Sequence, residues 1–388
     1  MEINDKIAWI NSQCRGVWRY DGLLPPIRTE HQITMGEGGT SLVRSRHIAK
    51  ELGLSDLYFK LESCNPTGSY KDRISAVGVS WALEQGKSGC IGTSSGNAGA
   101  SAAAYSARAG LPYHLLVLER IVEAKLMQAV IHGANVLRIK GFGDCAEVGD
   151  QVFAYIEEEA VRRKLEVMIT AFQFNAVAME GVKTISFELA EDAVITGERL
   201  ADAIFVPTGG GGLYTGIWKG FKELTEKGLL GHMPKVVAVQ SEGCSNIVRA
   251  WRQGTGEPAP GDSTSRISGL QVPNPPDGRR VLQALNGGDG FGVSVQDEEV
   301  WMWQEKLAAQ EGILCEPAAA VSLAGVHQAL QNGTLKPDSS VVCIVTGAGY
   351  KDNDRLRAFY ANKPESPLYD LSELQGLLAA GESGDRTC

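Results

Sequence analysis

Seven short apolar runs recur along the chain, at residues 57–61, 89–93, 113–118, 134–139, 203–206, 235–240 and 340–345. Several stop abruptly in glycine or hydroxyl residues just before a helical stretch. Runs this short, alternating with helical segments such as 98–108 and 124–131, predict strands covered on both faces and joined by helices. The fold class is therefore α/β with mostly parallel sheets. In such sheets ligands sit beyond the carboxyl ends of the strands. The glycines, 46 in all, gather at several of those ends.

The chain has 388 residues, 43% of them apolar. That supplies core for two domains around a shared cleft, or for one large unit. No linker separates two halves, so the chain is expected to cross between domains more than once. Residues 254–262, rich in Gly and Pro, read as a surface loop. The tail after 363 reads as peripheral, with a short helix over 372–380.

Charge excludes several functions. Charged residues make up 21% and the formal net charge is −9. No basic face is available for nucleic acid or for an anionic membrane surface. A small anionic substrate fits, because a pocket can be locally positive on an acidic protein. The eight cysteines form no CxxC pair, and the six histidines no HExxH. No metal site is expected. Cys343, inside Val341-Val342-Cys343-Ile344-Val345, reads as a small core residue. Neither a signal pattern nor an apolar span of roughly 18–20 residues occurs, so a soluble, cytoplasmic protein is expected.

Four motifs carry chemistry. The first is Asn65-Pro66-Thr67-Gly68-Ser69-Tyr70-Lys71-Asp72-Arg73. Pro-Thr-Gly is a turn signal, and a helix opens after it. A lone lysine is ordinarily a solvated surface group. Lys71, however, is expected at a helix start, where the helix dipole favours anions and disfavours a protonated amine. An amine that gives up its proton readily is what imine chemistry requires.

The second is Gly92-Thr93-Ser94-Ser95-Gly96-Asn97-Ala98-Gly99, a strand running into a polar turn and then an alanine-rich helix. Such a turn can cap the helix, but it has more polar positions than a cap needs. Its hydroxyls and free amides suit a substrate carboxylate. The third is Val206-Pro207-Thr208-Gly209-Gly210-Gly211-Gly212-Leu213. Four glycines at a strand–helix junction let backbone amides approach a phosphate. No Gly-Lys-Ser/Thr follows, which excludes a nucleoside-triphosphate loop. The fourth is Val345-Thr346-Gly347-Ala348-Gly349-Tyr350-Lys351-Asp352, again a strand ending in a hydroxyl and glycines. A lysine, a carboxylate cradle, a phosphate cradle and a hydroxyl are the parts of a pyridoxal phosphate site.

On these residues the chain resembles the fold type II pyridoxal phosphate enzymes, which are tryptophan synthase β-subunit-like, and within them the threonine synthases. The resemblance covers roughly residues 16–355. It extends to Gly36-Glu37-Gly38-Gly39-Thr40, Glu180-Gly181-Val182-Lys183-Thr184, Ile217-Trp218-Lys219-Gly220-Phe221 and Glu311-Gly312-Ile313-Leu314-Cys315-Glu316-Pro317-Ala318. It implies two parallel-sheet α/β domains with the cofactor in the cleft between them. Residues 1–70 and 175–388 would form the large domain and 71–174 a smaller, mobile one. Pyridoxal 5′-phosphate would sit as a Schiff base on Lys71. Asn97 would meet its 3′-oxygen, Thr346 its ring nitrogen, and Gly209, Gly210, Gly211 and Gly212 its phosphate. Ser94, Ser95, Asn97 and Ala98 would bind the substrate carboxylate. Glu316 would line the cleft or serve packing. A homodimer is expected.

Three departures bear on substrate. The family often has an arginine before Glu180, where this chain has Asn175-Ala176-Val177-Ala178-Met179. Two asparagines usual in the glycine loop are Gly210 and Leu213. After the third strand, Arg120 is the remaining basic candidate. The leading expectation is a threonine synthase-like lyase, which removes phosphate from O-phosphohomoserine and adds water at Cβ. The alternative is a β-eliminating or β-replacing enzyme, such as a serine or threonine dehydratase or a synthase using an aminoacrylate. A third, of another class, is a non-catalytic ligand-sensing relative.

Overall fold

The computed structural model describes residues 9–361, apart from 95, 122, 143–145 and 198, and then 363–364, 367–371 and 373–374. Of residues 123–125 and 146 the backbone alone is described. The short helix expected at 372–380 falls largely outside this set. The chain up to Asp352 is one compact unit; a second begins at Asn353 and contains a helix over Asn353–Ala361.

Among the described residues ten strands build two sheets. They are β1 (Leu42–Arg44), β2 (Asp56–Lys60), β3 (Gly89–Thr93), β4 (Tyr113–Leu118), β5 (Asn135–Ile139), β6 (Leu165–Val167), β7 (Ala203–Pro207), β8 (Lys235–Ser241), β9 (Gly290–Val295) and β10 (Ser340–Ile344). A six-stranded sheet runs β1-β2-β10-β7-β8-β9, and a four-stranded sheet runs β5-β4-β3-β6. All pairings are parallel except β1 with β2. The chain starts in the larger sheet, leaves it for β3 to β6, and returns at β7. Helices used below are α1 (Lys71–Glu84), α2 (Asn97–Ala109), α3 (Glu123–Ile131), α4 (Thr184–Thr196), α5 (Gly212–Glu226) and α6 (Pro317–Gln331). Among the described residues no helix is long and apolar enough to cross a membrane.

The central strands read as unbroken apolar runs because each feeds two cores. Successive side chains point to opposite faces of a sheet. Val341, Cys343 and Val345 enter one core with Phe205 and Val239. Val342 and Ile344 enter another with Ile204, Val206 and Ala238. In the smaller sheet, Cys90, Leu115 and Val117 face one way, and Ile91 and Leu116 the other. A polar side chain at any of these positions would be buried unpaired, at a cost of about 1–3 kcal/mol.

This strand order explains where the motifs go. β10 lies between β2 and β7, and the three are parallel. The segments leaving their carboxyl ends therefore emerge side by side. Lys71 follows β2, Thr346 follows β10 and the four glycines follow β7. In the smaller sheet, β3 and β6 are parallel neighbours, so Ser94, Asn97 and Ala98 emerge at the same end as Thr170.

Helix α1 is pinned from within. Arg73 is fully buried; its Nε and Nη2 donate to Glu62 at 2.7 Å each, and its Nη1 to Glu188 on α4 at 2.6 Å. Lys60 pairs with Glu188 at 2.8 Å. Burial alone would raise the proton affinity of Glu188. Arg73 and Lys60 outweigh it and hold this carboxyl well below the usual range. The resulting stability is present above the ordinary carboxylate pKa and is lost as pH falls towards the lower, folded value. Arg73→Leu would strand Glu62 and leave Glu188 to Lys60 alone. It should cost about 3–5 kcal/mol in urea unfolding at neutral pH. An unchanged unfolding midpoint with an unchanged slope would contradict this.

Candidate active site

Lys71 is the first residue of α1 and is half-buried. The turn before it is closed by its neighbour. Asp72 accepts from the Thr67 N–H at 2.6 Å, from the Thr67 hydroxyl at 2.5 Å and from Ser101 on α2 at 2.6 Å. Gly68 supplies the left-handed residue of the turn, at φ +83°. A Cβ there would lie 2.7 Å from the Tyr350 hydroxyl. Tyr70 N–H donates to the Thr346 carbonyl at 3.1 Å, which ties the lysine turn to the end of β10.

The Lys71 amine reaches across to the smaller sheet. Its Nζ donates to Thr170 Oγ1 at 2.9 Å and lies 4.6 Å from the centre of the Tyr70 ring. Thr170 follows β6 and was not singled out from the sequence. Its signal was there: Val167-Met168-Ile169-Thr170 is an apolar run ending in a hydroxyl, like the run ending at Thr346.

The glycine loop sits beside this contact. A Cβ on Gly212 would fall 3.3 Å from the Thr170 carbonyl and 2.7 Å from Met179 Cε. Gly211 has φ +93°, and a Cβ on it would meet Val281 Cγ2 at 2.9 Å and the Asp277 carbonyl carbon at 3.0 Å. Both residues are buried. Among the described residues the N–H groups of Gly209, Gly210, Gly211 and Gly212 have no backbone acceptor. Buried, unpaired donors at a helix start are an anion site. The hydrogen bonds matter more here than the dipole. Charge-assisted bonds are worth about 1.5–3 kcal/mol each, and the dipole about 0.3–1 kcal/mol. An amine and a phosphate cradle this close together fit a phosphorylated aldehyde.

The structure adds Asp277, for which the loop sequence Pro275-Pro276-Asp277-Gly278 gave no signal. Asp277 is buried and accepts from the Phe172 N–H at 2.8 Å and the Gln173 N–H at 3.2 Å. Its own N–H donates to the Gly210 carbonyl at 2.9 Å. It thus joins the glycine loop to the segment holding Thr170. Burial holds its carboxyl above the usual range, against those two amides and the charges of Arg280 and Lys71.

Asn97 and Thr346 converge on Glu316, at the entry to α6. Asn97 Nδ2 donates to Glu316 Oε2 at 2.9 Å, and Thr346 Oγ1 to Glu316 Oε1 at 3.2 Å. Glu316 therefore faces the cleft. The Ser94 hydroxyl oxygen accepts from the Gly96 N–H at 3.2 Å and the Gly99 N–H at 2.9 Å. It caps α2, and the amides of Asn97 and Ala98 remain at the helix start without intrahelical acceptors. Ser95 lies outside the described residues. Arg120 is exposed in the turn after β4, at the same end of the smaller sheet.

An α/β enzyme with a lysine, a glycine phosphate cradle and a hydroxyl at adjoining strand ends is the class that this geometry defines. Residues 33–347 match the family described as pyridoxal-phosphate dependent enzyme, and the chain belongs to that family. It is 38% identical over 385 residues to a threonine synthase of Methanocaldococcus jannaschii, covering 97% of this chain and 91% of that protein. It is 36% identical to a threonine synthase of Methanosarcina acetivorans, covering 88% and 82%. The chain is a threonine synthase-like, pyridoxal-phosphate-dependent lyase. Solved structures share the fold alone. Maize serine racemase superposes with TM-score 0.67 at 20% identity, over 83% of this chain and 92% of that one. Diaminopropionate ammonia lyase from Escherichia coli gives 0.68 at 16%, over 86% and 90%.

Gly211→Ala tests the cradle. A side chain in the left-handed region costs about 1–2 kcal/mol, and the crowding adds to it. Pyridoxal phosphate uptake, followed by absorbance titration of the apoprotein, should weaken at least roughly tenfold. Equal affinity would show that the loop does not hold the phosphate.

Proposed function

We propose that Lys71 carries pyridoxal 5′-phosphate as a Schiff base where the two sheets meet. The proposed reaction is loss of phosphate from O-phosphohomoserine followed by addition of water at Cβ. The observation that carries this reading is the Lys71–Thr170 hydrogen bond, which sets an amine beside unpaired glycine amides. The bound coenzyme supplies an electron sink for charge developing on the substrate. The amides of Gly209 to Gly212 hold its phosphate, Asn97 meets its 3′-oxygen, and Thr346 faces its ring nitrogen. Ser94, Ser95, Asn97 and Ala98 orient the substrate carboxylate at the start of α2. Lys71 Nζ would hold the coenzyme and would carry a proton between the substrate's Cα and the rest of its carbon chain. Thr170 and the Tyr70 ring hold that amine in place.

Residues 71–174 act as the smaller, mobile domain, and 1–70 with 175–388 as the larger. The confinement of β3 to β6 to residues 89–167 supports this division. The enzyme works in amino-acid biosynthesis as a cytoplasmic homodimer.

One observation favours a second reading. A phosphorylated substrate needs a second anion site, for which Arg120 is the candidate. The lysines nearest Glu180 are already committed: Lys183 and Lys219 both pair with it. The stretch ahead of it is Asn175-Ala176-Val177-Ala178-Met179. A β-eliminating or β-replacing enzyme, such as a serine or threonine dehydratase, would need Lys71 and the carboxylate cradle alone.

The test is product analysis with the purified holoenzyme. Phosphate release from O-phosphohomoserine with formation of threonine supports the first reading. Keto-acid release from serine or threonine, with no phosphate release from O-phosphohomoserine, overturns it in favour of the second. Lys71→Ala should lower turnover by about 10²–10⁴-fold or more. Undiminished turnover would place the chemistry on another lysine.

A further inference from the structure

Lys351 closes the motif that begins at Thr346, and the reaction proposed above gives it no task. Its backbone follows a segment already paired with the turn before Lys71. Tyr70 N–H donates to the Thr346 carbonyl at 3.1 Å, and Ala348 N–H to the Gly68 carbonyl at 2.9 Å. The Lys351 side chain then crosses Gly68, where a Cβ would lie 3.3 Å from Lys351 Cδ. At its end the ammonium has two acceptors. Nζ donates to the Thr67 carbonyl at 2.7 Å and to Gln128 Oε1 at 2.5 Å. Thr67 lies in the turn that delivers Lys71. Gln128 lies on α3, between β4 and β5 of the smaller sheet.

We propose that Lys351 is a positioning residue whose ammonium clasps α3 to the turn that delivers Lys71, so that the smaller domain closes against the larger through a contact that breaks and re-forms. This rests on the reading that residues 71–174 are the smaller, mobile domain.

The two acceptors lie on opposite sides of that division, Thr67 in the larger part and Gln128 in the smaller. Among the described residues, the Gln128 contact is the one side-chain hydrogen bond from α3 to another element. The Lys351 head is half-buried, and burial lowers the proton affinity of its amine, while the charges of Glu316 and Asp72 oppose this. Its hydrogen-bond acceptors, however, are a carbonyl and an amide, both neutral. A bond from an ion to a neutral oxygen is stronger than one between two neutral groups. It is still one that a side-chain amide can exchange for water.

The ammonium has three donors. When α3 withdraws and takes Gln128 with it, the Thr67 carbonyl still holds the lysine head where α3 will return. The half of the contact nearer the reactive amine therefore persists, and the half on the moving helix is the one that opens. Gly68 makes this possible, because a side chain there would displace the lysine stem from the turn.

The experiment is hydrogen exchange, read by mass spectrometry, on the coenzyme-loaded enzyme. Gln128→Leu removes the acceptor and keeps a good helix former. Exchange of the α3 amides should quicken roughly tenfold, while the peptide holding residues 65–71 exchanges as in the wild type. Lys351→Met should quicken both. The double variant should be no faster in α3 than Lys351→Met alone, because the two residues share one contact. Gln128→Glu gives the ammonium a charged partner and should slow α3 exchange. In turnover, Gln128→Leu should raise KM and leave kcat unchanged. Unchanged α3 exchange in both Gln128 variants, or effects of Gln128→Leu and Lys351→Met that add in full, would overturn the clasp and leave the proposed function standing. Failure of the proposed function would show instead in wild-type enzyme that turns over neither O-phosphohomoserine nor serine or threonine, and the exchange rates would then decide the clasp by themselves. Gln128 is half-buried, and its two variants, with opposite expected signs, decide the matter even where Lys351→Met does not fold.

Discussion

The guanidinium of Arg73 holds two carboxylates that come from distant parts of the chain. Glu62 lies in the short turn after β2, and Glu188 lies on α4. Both pairs are buried. Removing three charges from water is costly, and only a saturated set of hydrogen bonds repays it. Thr40 and Thr184 complete that set. What the network gives in return is position. It locks the first turn of α1 two residues after Lys71, and so fixes where the reactive amine begins. A lysine on a free loop would lose rotamer entropy on every approach to its partner. Here the backbone has already been placed.

From that point parallel pairing does the rest. Because β2, β10 and β7 run the same way, their carboxyl ends deliver a lysine, a hydroxyl and a glycine loop to one edge. The smaller sheet delivers an amide and a second hydroxyl to the same place. Glu316 and Asp277 then act as rivets. One joins α2 to the end of β10, and the other joins the glycine loop to the segment after β6. Each is a buried or half-buried acid bonded to donors on separate elements. Neither makes the reaction chemistry by itself, yet each determines what the reacting groups can present.

Much of this was legible in the sequence. Strands β2, β3, β4, β5, β7, β8 and β10 announced themselves as apolar runs, and the double crossing followed from the missing linker. Lys71, Asn97, Thr346 and the glycines were singled out because residues at strand ends need special backbone or polar chemistry, and the structure places them at neighbouring strand ends. Strands β1 and β6 were missed because they have three residues each. β9, Gly290-Phe291-Gly292-Val293-Ser294-Val295, was missed because glycine dilutes its apolar signal. Asp277 was illegible for a different reason. It lies in a loop, and only the fold reveals that Phe172 and Gln173 amides point at it. Ser94 illustrates a finer limit: its hydroxyl was expected for a substrate, and its oxygen is used in capping α2.

The central claim is that the coenzyme is bound covalently to the first residue of α1. Reduction of the holoenzyme with borohydride would fix that bond, and mass spectrometry of its peptides would locate it. The account predicts a phosphopyridoxyl group on the peptide containing Tyr70-Lys71-Asp72. The same group on any other lysine, or on none, would contradict it.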